Sequence, residues 1–380
     1  MKLQRDIQLP ASKSESNRAL MIAAYGGFDA DFQNLSDSSD TLVLAKTLRE
    51  IQQNNAIIDI ADCGTAARFL TAFLSCRSGN WLLTGTERMK QRPIKPLVDA
   101  LLELGASIQY AEKEGFIPLK IDGKLISGGN VQIDMSQSSQ FASSLLLAAP
   151  MFSQGLEIEL LGHLNSLPYL NMTLAIMKHF GAEAERNGRI VFVKPKPYQP
   201  TSFKVSSDWT AASYWYEMAA FSEECEIRLR GLSLSSLQGD AIVAEWMKSL
   251  GVCTTAFKDG IILTKKPFKK QPLSFDFTNC PDLYPTIAAT CAGLQIEAQF
   301  VGLENLRLKE SDRMESMQTE LAKLGRQSLH FCAHNDHRIV MALAPLALLF
   351  GPVSFDHPEV VEKSYPKFWK DVEFLHFLTF

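Results

Sequence analysis

Six times along the chain a short loop of small and polar residues runs into an Ala-rich apolar segment. The six are LPASKSESNRALMIAA, IADCGTAARFLTAFL, DMSQSSQFASSLLLAA, VSSDWTAASYWYEMAA, NCPDLYPTIAATCAG and AHNDHRIVMALAPLAL. Each apolar segment is long enough for about three or four helical turns, with Ser, Thr, Asp or Asn near its start as an N-cap. A helix start exposes unpaired N–H groups at the positive end of the helix dipole, so six such loops are six potential anion sites. Several carry cations as well: Lys13 and Arg18 in the first, Arg68 in the second, Arg338 in the sixth. A single Arg on a loop is ordinarily a solvated side chain; recurrence at the same point of a repeat is what argues for a ligand. The chain holds 38 basic and 42 acidic residues, net charge −4, so these cations are a local feature and not part of a basic surface. They point to a multiply anionic small molecule, with neither nucleic acid nor an anionic membrane as partner. Asp208 and Asp282 stand before two of the apolar segments, where an aspartate taken alone reads as an N-cap.

The elements that must position these loops repeat too. An amphipathic helix ends in LLELGA, MKHFGA, MKSLGV and LAKLGR, with glycines at 105, 181, 251 and 325, spaced by 76, 70 and 74 residues. Glycine just past a helix is the usual left-handed C-cap. Alternating runs such as GAEAERNGRIVFVKP and GVCTTAFKDGIILTKK follow three of the four, with Asn-Gly and Asp-Gly expected to supply hairpin turns. The unit is thus strand, helix, strand, helix, hairpin, about seventy residues long. Taking Ser14, Gly64, Ser139, Asp208, Asp282 and Asp336 as markers, the intervals are 50, 75, 69, 74 and 54. The first and last are each short by about the length of one hairpin, roughly twenty residues. Six copies imply an α/β (α+β) protein of two domains, three copies in each.

Other classes drop out on composition and motif. The longest apolar run, Ile339 to Val353, contains Pro345 and falls short of the roughly twenty residues of a membrane span. The N-terminal residues have no apolar signal core, and seven scattered cysteines without a CxxC pair read as reduced thiols of a cytoplasmic protein. No HExxH or Cys/His cluster suggests zinc, and neither GxxxxGK[ST] nor GxGxxG marks a nucleotide site. No metal and no cofactor is expected.

The segments LPASKSESNRAL, CGTAARFL, ERMKQRPIKPLVDALLELGA, SSQFASSLLLAAP, LRLKESDRM and NDHRIVMALA resemble 5-enolpyruvylshikimate-3-phosphate synthases, in order, from about residue 7 to residue 370. The resemblance implies transfer of the enolpyruvyl (carboxyvinyl) group of phosphoenolpyruvate to the 5-hydroxyl of shikimate 3-phosphate with release of phosphate, on the route to chorismate and the aromatic amino acids. It implies a two-domain inside-out α/β barrel of βαβαββ repeats that closes at a two-stranded hinge. Motif by motif, Lys13, Ser14 and Arg18 match acceptor contacts, with Lys13 also reaching phosphoenolpyruvate. Ser138, Ser139, Gln140, Ser166 and Tyr169 match binders of the shikimate phosphate and ring hydroxyls, and Asn305 and Lys309 further acceptor contacts. Arg92, Arg313, Arg338 and Lys363 match the clamp on phosphoenolpyruvate, with Gly64 as the close-approach position beside it. Asp282 matches the group near the acceptor hydroxyl, a candidate base; Glu310 matches the group near C3; Lys13 is the partner for the departing phosphate. Without the resemblance, Asp282 is a cap, Glu310 with Arg313 an ordinary i,i+3 helix pair, and Ser138 and Ser139 capping residues. His337 and Cys63 read as packing or loop support.

Some positions depart from the family pattern: Asp62-Cys63-Gly64-Thr65 stands where Asn-Ala-Gly-Thr is usual, Phe69 replaces a proline, and Leu167 replaces a basic residue. The two short repeats read as trimmed hairpins, and the second lies directly before Asp336 and Arg338, where it could displace a clamp residue. A paralogue that binds the anions without turnover is therefore an alternative. UDP-N-acetylglucosamine enolpyruvyl transferase is another, but it would carry a cysteine in the loop that here reads TERMKQ. By the repeat, one domain spans 12–206 and the other 1–11 with 207–380, with the hinge near 11–12 and 206–207. No apolar seam demands an oligomer, so a monomer is expected.

Overall fold

A computed structural model describes residues 2–375. The chain divides into two compact units: one takes the chain up to Ser12 and again from Ser206, the other runs from Lys13 to Val205. Where the chain leaves and re-enters the first of these, Ala11 and Ser207 form an antiparallel bridge and Ser12 N donates to Ser206 O at 2.8 Å.

In the Lys13–Val205 unit, three sheets are built on parallel pairs. Ile57–Asp59 pairs with Gly79–Thr84, which continues antiparallel into Leu119–Gly123 and Ser107–Tyr110. Gly129–Asp134 pairs with Leu156–Leu161, followed by Ile190–Val193 and Ala184–Asn187. Phe203–Lys204 with Phe32–Gln33 forms the third sheet, of two strands. The other unit has one four-stranded sheet, Lys2–Gln8, Glu224–Arg230, Gly260–Lys265 and Val252–Phe257. Its other two sheets have two strands each, Leu273–Asp276 with Ala298–Val301 and Leu329–Phe331 with Val353–Phe355.

The six Ala-rich segments are the inner helices. Lys13–Gly26, Gly64–Ser75 and Ser139–Ala148 pack together in one unit; in the other, Tyr284–Leu294 packs against both Trp209–Phe221 and His337–Leu343. A helix apolar on all sides has to be enclosed, and every residue of Trp209–Phe221 is buried. The strands alternate instead, Leu156–Leu161 burying every second residue, so the sheets turn one face to these helices and one to water. Some hydroxyls on the inner helices are satisfied within the helix, Thr71 donating to Ala67 O and Thr290 to Thr286 O, both at 2.7 Å. Others reach a neighbouring element, as Ser213 Oγ meets Thr286 Oγ1 at 3.0 Å.

The two expected trims are present. Ser39–Gln52 passes directly to Ile57–Asp59, and Arg313–Leu321 to Leu329–Phe331, with no hairpin between. A third copy is also short, which the intervals did not reveal. After Val353–Phe355 the described chain continues in short turns whose aromatics cover the sheet, Phe355 lying 5.7 Å from Trp369 and 5.8 Å from Phe331. The glycines at 105, 181, 251 and 325 all have φ between +79° and +94°, the left-handed cap the spacing predicts. The turn register differs by one residue from the dipeptide reading. Asn187 pairs with Ile190 and Phe257 with Gly260, so the central residues are Gly188-Arg189 and Lys258-Asp259.

Glu217 breaks the rule that buried polar groups are paired. It is fully buried on the inner helix Trp209–Phe221, and neither carboxyl oxygen has a hydrogen-bond partner among the described residues. Burial holds its carboxyl well above the usual range. On the neighbouring helix burial, with the Glu217 charge adding, pushes the Cys291 thiol up to about 12. A raised folded pKa leaves stability intact below the unfolded value and removes it as pH climbs toward the folded value, by about 1.4 kcal/mol per pH unit. Glu217→Gln should therefore gain stability relative to the parent between about pH 5 and pH 8, measured by urea unfolding. Parallel pH dependences for the two proteins would contradict this.

Candidate active site

In the Lys13–Val205 unit the polar groups gather at helix starts. Lys13 opens its helix and pairs with Asp40 at 2.9 Å. One turn on, Arg18 is buried and ties three helices together. Its Nε donates to Thr173 Oγ1 at 2.7 Å, Nη1 to Ser14 O at 2.9 Å, and Nη2 to Tyr169 O at 3.2 Å and Ser143 Oγ at 3.5 Å. Burial lowers its pKa to about 10, with Tyr169 and Glu15 opposing, so it stays a cation at neutral pH. Phe69, the residue in place of the usual proline, lies beneath it, ring centroid 5.6 Å from Cζ.

Gly64 begins the next helix, and Cys63 caps it by accepting from Ala66 N at 3.4 Å, a supporting role. A Cβ on Gly64 would lie 2.6 Å from Arg92 Nη1 and 2.8 Å from Arg68 Nη1. Both guanidiniums occupy the space a side chain would need. Arg68 donates to Gly64 O and to Pro93 O, each at 3.0 Å, and so holds the loop that carries Arg92. Its motif flagged Arg68 as a cation; its work as a strut was not legible there.

Ser138 caps its helix through Gln140 N at 3.2 Å, Ser139 is buried, and Gln140 Nε2 reaches Thr65 Oγ1 at 3.2 Å. Ser166 takes φ +58°, a left-handed position uncommon for a residue with a side chain, and leads into the helix of Tyr169. Arg18 joins Ser14 and Tyr169, while Lys13, Ser139 and Gln140 stand at the starts of the neighbouring inner helices. The set offers cations, hydroxyls and helix-start N–H groups suited to a phosphate on a polyol.

In the other unit the site is built around Arg313, whose side chain is 1% exposed. Its Nη1 donates to Asp282 Oδ1 at 2.7 Å, Nη2 to Glu310 Oε2 at 2.7 Å and Nε to Asp336 Oδ2 at 2.8 Å. Arg338 Nη2 holds the other oxygen of Asp282 at 2.8 Å, and Lys309 Nζ stands 3.7 Å from Asp282 Oδ1. Burial raises the Asp282 pKa, but Arg338, Lys309 and Arg313 outweigh it and keep the carboxyl well below the usual range. Asp282 is therefore spent on two guanidiniums inside the turn Pro281–Leu283, whereas Asp208 does cap its helix, through Ala211 N at 2.8 Å. Lys363 is buried at the end of the turn Pro358–Lys363, and Asn305 is half-buried in Glu304–Leu308.

The shortened connection does not unseat Asp336, which accepts from Arg338 N at 3.0 Å as the cap of His337–Leu343. Buried Glu320 anchors the loop before it. The carboxylate takes Lys323 Nζ at 2.5 Å and Cys332 N at 2.9 Å, with His334 Nε2 at 2.9 Å. Asp336 itself was only a repeat marker in the sequence; the structure makes it one of the three carboxylates on Arg313. His337 is buried in the packing.

Removing a buried cation that serves three carboxylates leaves them uncompensated, at a cost of about 3–5 kcal/mol. Arg313→Ala should lose stability of that order in urea unfolding, and Arg313→Lys should recover little, since one ammonium cannot reproduce the three-way fork. A loss below about 1 kcal/mol in Arg313→Ala would remove Arg313 from this central role.

Comparison with known proteins agrees with this geometry. The family model described as EPSP synthase (3-phosphoshikimate 1-carboxyvinyltransferase) matches residues 1–372. A 3-phosphoshikimate 1-carboxyvinyltransferase of Bacteroides fragilis (strain YCH46) is 44% identical over 97% of this chain and 95% of its own length. One from Histophilus somni (strain 2336) is 35% identical over 98% and 96%. An EPSP synthase structure from Acinetobacter baumannii covers 98% of this chain and 96% of its own at TM-score 0.77 and 19% identity, a likeness of fold. With the family model spanning nearly the whole chain, this protein belongs to the EPSP synthase family.

Proposed function

We propose that the protein transfers the enolpyruvyl group of phosphoenolpyruvate to the 5-hydroxyl of shikimate 3-phosphate and releases phosphate. The observation that carries the reading is Asp282, a partly buried carboxylate held ionised between Arg313 and Arg338, with Glu310 on the same guanidinium. Ser14, Arg18, Ser138, Ser139, Gln140, Ser166 and Tyr169 would bind shikimate 3-phosphate, joined by Asn305 and Lys309. Lys13, Arg92, Arg313, Arg338 and Lys363 would take phosphoenolpyruvate, with Gly64 leaving room for its approach.

In the addition step the 5-hydroxyl attacks C2: the O–H proton passes to Asp282, the O–C2 bond forms, and C3 gains a proton in the region of Glu310. In the elimination C3 gives up a proton, the C2–O bond to phosphate breaks, and Lys13 supports the departing anion. Substrate anions that draw on Arg313 and Arg338 loosen their hold on Asp282, which raises its proton affinity when a base is needed.

No described helix is long and apolar enough to cross a membrane, and the seven cysteines are scattered without a CxxC pair. A monomer in a reducing cytoplasm is the expectation that goes with this reading.

The test is phosphate release from phosphoenolpyruvate with and without shikimate 3-phosphate. Release should require the acceptor, and Asp282→Ala should lower kcat by about 10²–10⁴ with little change in KM. A protein that binds shikimate 3-phosphate yet releases nothing would be a binding-only paralogue. Gly64→Ala should force the Arg92 and Arg68 guanidiniums apart and raise KM for phosphoenolpyruvate about tenfold, a loss of about 1.4 kcal/mol. An unchanged KM would take Gly64 out of the phosphoenolpyruvate site.

A further inference from the structure

The inner helix Trp209–Phe221 packs against both the turn Gly239–Ile242 and the turn Pro281–Leu283 that carries Asp282. Its Ser213 Oγ meets Thr286 Oγ1 of the following helix at 3.0 Å, so a buried carboxyl on the first of these turns, Asp240, stands beside Asp282 with no place in the scheme above. Asp240 is the second residue of the short turn Gly239–Ile242 and is 2% exposed. Gln238 fixes the turn to the start of the inner helix, its Oε1 accepting from Trp209 N at 2.8 Å and its Nε2 donating to Ser207 O at 2.9 Å. That places Asp240 against Thr210, whose hydroxyl donates to its Oδ2. Oδ1 is sealed from solvent and has no hydrogen-bond partner among the described residues.

The groups acting on Asp240 are Asp282, Arg338, Asp208 and the Thr210 hydroxyl, with the Cys280 thiol also within its field. Tyr214, one turn beyond Thr210, has its hydroxyl toward Arg338. Burial and the Asp282 charge push Asp240 up to about 7; Thr210 and Arg338 oppose this and Asp208 adds to it. Glu217 differs, because burial alone accounts for its shift and no charged side chain acts on it.

We propose that Asp240 is a positioning residue whose charge strengthens Asp282 as the base of the reaction. The assignment rests on the reading of Asp282 given above. Three cations around Asp282 favour its anion and weaken it as a proton acceptor. A like charge held close by works the other way. When the acceptor O–H bond breaks and its proton moves to Asp282, the repulsion between the two carboxylates disappears. The Asp240 charge therefore favours the transition state over the ground state, the only kind of interaction that raises kcat. The effect exists where Asp240 is ionised, above its own pKa, and is lost as pH falls through it.

The test is Asp240→Asn, which keeps an acceptor for Thr210 and removes the charge, with kcat measured against pH at saturating phosphoenolpyruvate and shikimate 3-phosphate. Taking the ratio of parent to variant removes the titration of the substrates' own phosphates. The ratio should be near one at about pH 5.5 and rise to about tenfold at about pH 8.5, with both KM values unchanged and Asp240→Glu restoring most of the high-pH rate. A ratio independent of pH would overturn the proposal, since a structural defect has no reason to follow this titration. So would unaltered kcat. Infrared spectra give a readout without turnover, taken in a Glu217→Gln background so that the other raised carboxyl does not contribute. A carboxylic acid C=O band should vanish as pH rises through about 7 with Asp240 present and be missing when Asp240→Asn is added. Its presence in both proteins would also overturn the proposal. Failure of the transferase reading shows separately, as no phosphate release from the parent. Failure of Asp282 as base shows as full turnover in Asp282→Asn, and the assignment of Asp240 falls with it.

Discussion

A guanidinium sealed from water must find acceptors for its donors inside the protein, and Arg313 finds them in Asp282, Glu310 and Asp336. Each of those carboxylates belongs to a different piece of the unit: a turn before one inner helix, the approach to the helix of Arg313, and the cap of another inner helix. One side chain therefore sets three loops at once. The arrangement is costly to desolvate, and apolar residues would often serve stability as well. Its return is geometric, because two carboxylates of different surroundings are held at fixed positions with Arg338 and Lys309 beside them.

The inner helices make this arrangement possible. They have no polar face to show to water, so they pack in the middle of each unit and their starts are brought together. The hydroxyls and N–H groups at those starts are what remains for a ligand. Arg18 illustrates the same economy in the other unit, joining Ser14, Ser143, Tyr169 and Thr173 through one buried cation. Glu320 does a humbler version of the job: with its hairpin missing, the connection to Asp336 is held by a carboxylate that collects Lys323, His334 and the Cys332 N–H.

Two buried carboxyls show why burial by itself does not identify function. Glu217 and Asp240 both have an oxygen without a partner. Glu217 meets no charged side chain, and its consequence is for stability. Asp240 meets Asp282 and Arg338, and its consequence is for the chemistry.

The sequence by itself determined the repeat, the left-handed glycine caps, the apolar inner helices and the residue types at each helix start. These are written in neighbouring residues, through periodicity and capping chemistry, and neighbours settle them. It also carried the motifs that led to the family, Lys-Ser-Glu-Ser-Asn-Arg and Asn-Asp-His-Arg among them. Only the tertiary structure decided that Asp282 is no helix cap, that Asp336 serves Arg313, that Arg68 braces the Arg92 loop, and that a third copy shows no hairpin among the described residues. Asp282 meets Arg313 across 31 residues and Arg338 across 56. Such pairings depend on which helices stack and how their ends align, and no local pattern in the chain records that.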